Sequence, residues 1–227
     1  MGWNTIIEFI KHWYPWFGIG GSLLIILCMS IAGLNYRGRK GEKYSIFNHF
    51  ISELGEVGVS KAAAIFNSGL ILGGLAFVPF IIGLCLTIGN LWAKIGMAVG
   101  IFATLSCALV GVFPMNRLKA HYFVAVSYFR AGLVMVLLVS TAVFVQPTGA
   151  VVFPKISNLA GLLAFICYAG FLFLLRTPKN DETSPENALD PLKQVERSKY
   201  WRDTILEWAV FFSTILWFFI LALFGLA

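Results

Sequence analysis

Six long apolar stretches constrain this sequence more than any other feature. They cover residues 17–35, 61–89, 94–114, 121–145, 156–176 and 204–227. Each reaches or exceeds the roughly 18–20 residues that an α-helix needs to cross about 30 Å of hydrocarbon. A transmembrane β-strand would instead be about ten residues long and would alternate apolar and polar side chains. The sequence therefore predicts an all-α fold, a polytopic integral membrane protein built as a six-transmembrane-helix bundle.

The composition agrees with a single transmembrane domain over residues 1–227. Hydrophobic residues make up 59% of the chain and charged residues only 12%, whereas a soluble domain has about 25% charged residues. Residues 1–16 mix tryptophans with charged side chains, which is typical of an interfacial segment. Residues 177–203 are polar and contain prolines, so we predict a flexible cytoplasmic loop there.

The 17 lysines and arginines are distributed unevenly along the chain. Loops 36–60, 115–120 and 177–203, with their flanks, hold thirteen of them, and the other side holds three. The positive-inside rule then predicts a multi-pass protein of the cell membrane with these loops cytoplasmic and both termini extracytoplasmic. We expect membrane lipids as partners, anionic phospholipids above all, and no nucleic acid. A homo-oligomer or a membrane complex is an open alternative.

A short helix is predicted after the first span, within residues 44–59. Its apolar residues recur at helical spacing, and these are Ile46, Phe47, Phe50, Ile51 and Leu54. The segment is too short and too polar to be a seventh span. We therefore expect an interfacial helix on the inner membrane surface.

Small residues and cysteines inside the spans are interpreted as packing residues. Gly69 and Gly73 are four apart in the second span, a spacing that lets another helix approach closely. The four cysteines lie within predicted spans and form no C-x-x-C pair, so neither redox nor metal chemistry is assigned to them. We expect no cofactor.

Arg130 is the one cation in the interior of a predicted span, away from the span ends. It lies about 12 Å beyond the start of its helix near Tyr122, where a charge costs about 2.5–3.5 kcal/mol unless it is paired or hydrated. One interpretation is a structural guanidinium that reaches towards the inner surface or pairs with Glu53 or Glu207. The other is recognition of a lipid phosphate or another anion, with Ser127 on the same side of the helix.

A polar group near the inner surface supplies the remaining candidate residues. His49, Asn67 and His121, together with Arg130 and Ser127, are candidate lipid-binding or anion-binding residues. Ser52, Glu53 and His121 are the candidate catalytic residues, and His49, Glu53 and His121 are alternative metal ligands. His121 and Arg130 are nine residues apart, which places them on opposite faces of an ideal helix. No H-E-x-x-H, G-x-S-x-G or P-loop motif is present, so no soluble-enzyme template applies.

Several short motifs resemble those of a known group of membrane proteins. They are Ile51-Ser52-Glu53-Leu54-Gly55, Phe66-Asn67 and Gly111-Val112-Phe113-Pro114, with His121 seven residues further on. The chain resembles a prokaryotic six-span membrane protein family of unknown function, distantly similar to the FRAG/DRAM/SFK-type family. Members of the latter are linked to lipid-anchor remodelling and autophagy, so the resemblance implies a role with lipids and draws attention to Ser52, Gly55, Asn67, Pro114 and His121.

Three functional hypotheses follow from the sequence. The first is a protein that binds or remodels lipids through a polar site near the inner leaflet. The second is an intramembrane hydrolase or transferase that uses Ser52 or the metal site. The third is a transporter, a channel or a structural subunit of a membrane complex.

Overall fold

The computed structural model describes residues 2–146, 153–176 and 199–226, and these parts of the chain contain helices and no β-strand. The six long helices are α1 (Trp3–Asn35), α2 (Ala63–Ile88), α3 (Leu91–Val112), α4 (Leu118–Phe144), α5 (Asn158–Arg176) and α6 (Arg202–Phe224). Three short 3-10 helices cover Ile51–Gly55, Met115–Arg117 and Lys155–Ser157. All six long helices are long and apolar enough to cross a membrane. The predicted helical membrane bundle is therefore confirmed, and the protein is a multi-pass membrane protein.

The first helix is longer than predicted. Residues 1–16 were expected to form an interfacial segment that leads into the first span, and α1 runs from Trp3 through Pro15 into that span without a break. Its 33 residues extend for about 50 Å, which exceeds the roughly 30 Å of bilayer hydrocarbon. The helix must therefore tilt or project beyond the hydrocarbon. The exposed tryptophans Trp13 and Trp16 near its start suit the membrane–water interface.

The helices form a closed ring. Each helix packs against the next one in the chain, and α6 packs back against α1. Glycines bring the helices close together, as predicted for the second span. A Cβ on Gly69 would lie 2.4 Å from the Cβ of Cys28, and one on Gly73 would lie 2.3 Å from the Cγ1 of Ile25. Only residues without a side chain allow α1 and α2 to approach this closely.

Up-and-down connectivity places most of the basic residues at one end of the ring. The end of α1, the start of α2, the loop between α3 and α4, the end of α5 and the start of α6 all lie at this end. We call it the basic end, and among the described residues it carries Arg37, Arg39, Lys40, Lys43, Lys61, Arg117, Lys119, Arg176, Lys199 and Arg202. That this end faces the cytoplasm stays a prediction. Of the predicted loop 177–203, residues 177–198 lie outside the part of the chain that the structure describes.

Residues 36–60, which we call the cap segment, contain the predicted short helix in a different form. The short helix after the first span is present, but it is a 3-10 helix of only five residues, Ile51–Gly55. His49, Glu53 and Leu54 are buried, so this part of the segment packs into the basic end of the ring. Of the predicted apolar residues, Phe50, Ile51 and Leu54 are buried, whereas Ile46 and Phe47 are exposed. The partners of the buried residues belong to distant parts of the chain.

Candidate functional site

A cavity lies at the centre of the ring. All six helices and the cap segment contribute to its lining. Its volume is about 90 Å³, on a scale where one water molecule needs about 10–15 Å³. The cavity is therefore small, with room for about six to nine water molecules. Most of the lining is apolar and includes Met29, Leu70, Phe77, Phe129 and Phe218.

Three polar side chains line the cavity from the region where the cap segment meets α4 and α6. We call Ser52, His121 and Glu207 the cap layer. His121 Nδ1 lies 2.8 Å from the carbonyl oxygen of Phe113. Because a carbonyl can only accept, Nδ1 carries the proton, and in the neutral imidazole Nε2 is the hydrogen-bond acceptor. The Ser52 hydroxyl has no hydrogen-bond partner within the described part of the chain, so it is free to meet a ligand.

Two buried carboxylates hold the cap segment in place. The backbone N–H of Phe50 donates to Glu53 Oε1 at 2.8 Å, and that of Ile51 donates to Glu207 Oε2 at 2.7 Å. These are consecutive amides at the start of a 3-10 helix, where no backbone acceptor is available to them. Glu207 is 156 positions away from Ile51 in the sequence, and this hydrogen bond joins the last helix to the cap segment.

Aromatic side chains enclose the same carboxylates. The Tyr44 hydroxyl donates to the carbonyl oxygen of Phe50 at 2.9 Å. Burial, together with the nearby carboxylates of Glu207 and Glu53, raises the pKa of Tyr44 well above its usual value. Tyr44 therefore stays a neutral hydrogen-bond donor, and it keeps the cap segment closed over the carboxylates.

A second polar group lies deeper in the cavity. The hydroxyl oxygen of Tyr168 is 3.1 Å from that of Tyr128 and 3.2 Å from Thr214 Oγ1. All three residues line the cavity, and we call them the hydroxyl cluster. Sequence analysis missed this cluster because its members come from three different helices. The sequence of each of these helices indicates only an apolar span.

The predicted site residues fall into separate places. Ser52 and His121 line the cavity, as the lipid-site hypothesis requires, although no hydrogen bond joins them. His49 stacks against Tyr36 and Tyr44, with ring centroids 5.5 and 5.2 Å away. Asn67 donates to the carbonyl oxygen of Gly55 at 3.0 Å. His49, Glu53 and Asn67 therefore build the cap segment and are absent from the cavity lining.

Arg130, a candidate anion-binding residue, does not line this cavity. Arg130 is exposed on the outer face of α4, and it forms no ion pair with Glu53, Glu207 or any other described residue. Nine positions at about 100° each turn it half a revolution away from His121. Ser127 also lies away from the cavity, and its hydroxyl donates to the carbonyl oxygen of Phe123 at 2.8 Å.

The alternative metal site is not formed. Within residues 2–146, 153–176 and 199–226, no group of three or more His, Cys, Asp or Glu side chains could hold a metal ion. His49, Glu53 and His121 therefore do not meet as a ligand set, because His121 faces the cavity while the other two lie within the cap segment.

Comparison with known proteins gives one match. The family model described as "Protein of unknown function (DUF998)" matches residues 19–224, which include the cavity lining and the cap segment. No curated protein and no solved structure matches the chain. A membrane family of unknown function was expected, and this expectation is confirmed. The resemblance to the FRAG/DRAM/SFK-type family gains no support from these comparisons.

Proposed function

This chain belongs to the DUF998 family of proteins of unknown function, and we propose from its own cavity that it binds a single-chain, uncharged amphiphile within the membrane. The observation that carries the proposal is a small, largely apolar cavity whose lining includes the polar side chains of the cap layer. Ligand sites commonly combine an apolar lining with a few well-placed polar groups. The apolar walls would take a hydrocarbon chain, and the cap layer would take its polar head.

The polar atoms of the cap layer support an uncharged head. His121 Nε2 can accept a hydrogen bond and the Ser52 hydroxyl can donate or accept one, so together they suit a hydroxyl or an ester. Neither lysine nor arginine is among the residues that line the cavity, while Glu207 brings a carboxyl group. An anionic head would gain no charge compensation there and would lose its hydration.

Binding of glycerol monolaurate, an uncharged single-chain amphiphile, tests the proposal. We expect the detergent-purified protein to bind it and His121→Phe to bind it about tenfold more weakly, because the substitution keeps an aromatic ring but removes the acceptor from a buried polar contact. Native mass spectrometry of titrated samples measures the difference. Tyr122→Phe is the matched control, since Tyr122 is exposed on the same helix.

The outcome separates the proposal from a purely structural role for His121. Weaker binding by His121→Phe and wild-type binding by Tyr122→Phe, with equal melting temperatures, would support it. Equal binding by all three proteins would contradict it. Release of laurate during the titration would instead favour the hydrolase hypothesis, in which Ser52 is the nucleophile.

Anionic phospholipids fit a second place, the outer face of α4. Arg130 is exposed there, about 12 Å along the helix from Tyr122, and a side chain in a helix leans towards the helix start. In α4 the start is the basic end, so the guanidinium can extend towards the phosphates of that leaflet. Ser127 lies one turn closer to the same surface. In the same samples, Arg130→Gln should lose co-purified anionic phospholipid while keeping glycerol monolaurate.

A further inference from the structure

The hydroxyl cluster lies at a fixed distance from the cap layer. Tyr128 follows His121 by seven residues in α4, and Thr214 follows Glu207 by seven residues in α6. Both helices start at the basic end, so seven residues move each wall about 10 Å deeper. The cavity therefore has two polar layers about 10 Å apart, and apolar side chains such as Ala125 and Val210 line the space between them.

The hydrogen atoms of the cluster leave one hydroxyl group available to the cavity. Thr214 Oγ1 lies 2.7 Å from the carbonyl oxygen of Val210, which can only accept, so the hydrogen of Thr214 is used there. Tyr168 can then donate either to Thr214 or to Tyr128. In the first case Tyr128 donates to Tyr168 and offers a lone pair to the cavity, and in the second it offers its hydrogen.

The backbone of α4 makes room for this arrangement. A Cβ on Gly132 would lie 2.6 Å from the hydroxyl oxygen of Tyr168, closer than real atoms approach. Since Gly132 is one turn beyond Tyr128, the missing side chain is what lets the Tyr168 hydroxyl reach Tyr128 across the helix interface. A polar cluster in an apolar bundle is costly unless its hydrogen bonds are satisfied, and here the unused capacity lies on Tyr128, a cavity-lining residue.

We propose that the hydroxyl cluster is a second polar subsite, which selects amphiphiles that carry an oxygen function on the chain about 10 Å from the head. This inference rests on the proposed function. The ligand class is a single-chain lipid with a mid-chain hydroxyl or carbonyl group. Tyr128 matches either group because the cluster can reverse its hydrogen bonds, donating to a carbonyl or accepting from a hydroxyl.

Two matched probes test the subsite. One is glycerol monolaurate, and the other is its analogue with a single hydroxyl on the chain about 10 Å from the ester. We expect the wild-type protein to bind the hydroxylated ester about fivefold more tightly, the effect of one additional net hydrogen bond. Tyr128→Phe and Tyr168→Phe remove only an oxygen atom and should abolish this preference. Tyr122→Phe, on the outer surface, should keep it.

The results distinguish this inference from the one on which it rests. A preference that disappears in Tyr128→Phe and survives in Tyr122→Phe supports the subsite. Equal binding of the two esters by wild-type protein, with binding still weakened by His121→Phe, overturns the subsite but leaves the proposed function. No binding of either ester overturns both. If Tyr168→Phe elutes as an aggregate in detergent, Tyr128→Phe alone decides between these outcomes.

Discussion

At the scale of single residues, Glu207 joins the last helix to the cap segment. Its carboxylate accepts the backbone N–H of Ile51, and no nearby backbone carbonyl can replace it at the start of a 3-10 helix. Removing the carboxylate would leave a buried donor without a partner. Glu207 also lines the cavity, so the same side chain joins the cap segment to the proposed binding site.

We expect Glu207→Ala to lower the free energy of unfolding by about 1–3 kcal/mol, the usual cost of an unsatisfied buried group. Glu207→Gln keeps a side-chain oxygen that can accept from Ile51 and should lose much less. Thermal unfolding in detergent, followed by tryptophan fluorescence, measures both. Glu8→Ala is the control, because the side chain of Glu8 is 74% exposed. Identical melting of Glu207→Ala and Glu8→Ala would contradict the anchoring role.

Sequence reasoning grouped Ser52, His121 and Arg130 as candidate site residues. In the structure Ser52 and His121 line the cavity, whereas Arg130 does not. An intramembrane cation suggests a buried acidic partner, but Arg130 is exposed on α4 and pairs with no described acidic side chain. The helical offset between His121 and Arg130 already indicated opposite faces, and the structure agrees with the offset. Tyr128, Tyr168 and Thr214 could not be found in the same way, since their contacts depend on how three helices pack.

At the scale of elements, the close crossing of α2 and α3 depends on Gly74. A Cβ at this position would lie 2.7 Å from the backbone nitrogen of Ala108 and 2.9 Å from the carbonyl oxygen of Thr104. Backbone atoms cannot move aside like the end of a flexible side chain. The crossing therefore tolerates no larger residue unless the two helices separate.

We expect Gly74→Ala to destabilise the protein, by about 1–3 kcal/mol for an overpacked contact, although alanine favours helix more than glycine does. Gly20→Ala is the matched control, because a Cβ on Gly20 would meet nothing within 4 Å. That variant should melt at or above the wild-type temperature. If both alanine variants melt alike, the α2–α3 crossing does not depend on the missing side chain.

The spans could be predicted from the sequence because hydrocarbon thickness fixes their length and composition. The cap segment could be recognised but not placed. Its apolar periodicity showed that Ile51 and Leu54 avoid water, yet a membrane surface and a protein interior give the same pattern. Only the contact with Glu207, far away in sequence, distinguishes the two, and periodicity carries no information about such pairs.

At the scale of the whole molecule, the basic end defines an orientation that experiment can test. We expect it to face the cytoplasm, because positively charged loops are retained on that side. Lys40→Cys at the basic end should react with a membrane-impermeant maleimide only after cells are permeabilised. Lys94→Cys, exposed at the opposite end, should react in intact cells.

The unaltered chain controls for background labelling, since its four cysteines lie within the membrane-spanning helices. Labelling of Lys40→Cys in intact cells, with Lys94→Cys protected, would reverse the orientation. The proposed phospholipid contact of Arg130 would then face the outer leaflet.

The contact between α6 and α1 also has a consequence for biosynthesis. Helices leave the ribosome in chain order, so α1 to α5 are inserted into the membrane before α6. Until then the ring of helices is open between α5 and α1. The backbone N–H of Ile51 also lacks its acceptor, because Glu207 lies 156 positions later in the sequence. The central cavity is thus completed late in synthesis, and the proposed ligand site forms only when the final helix is inserted.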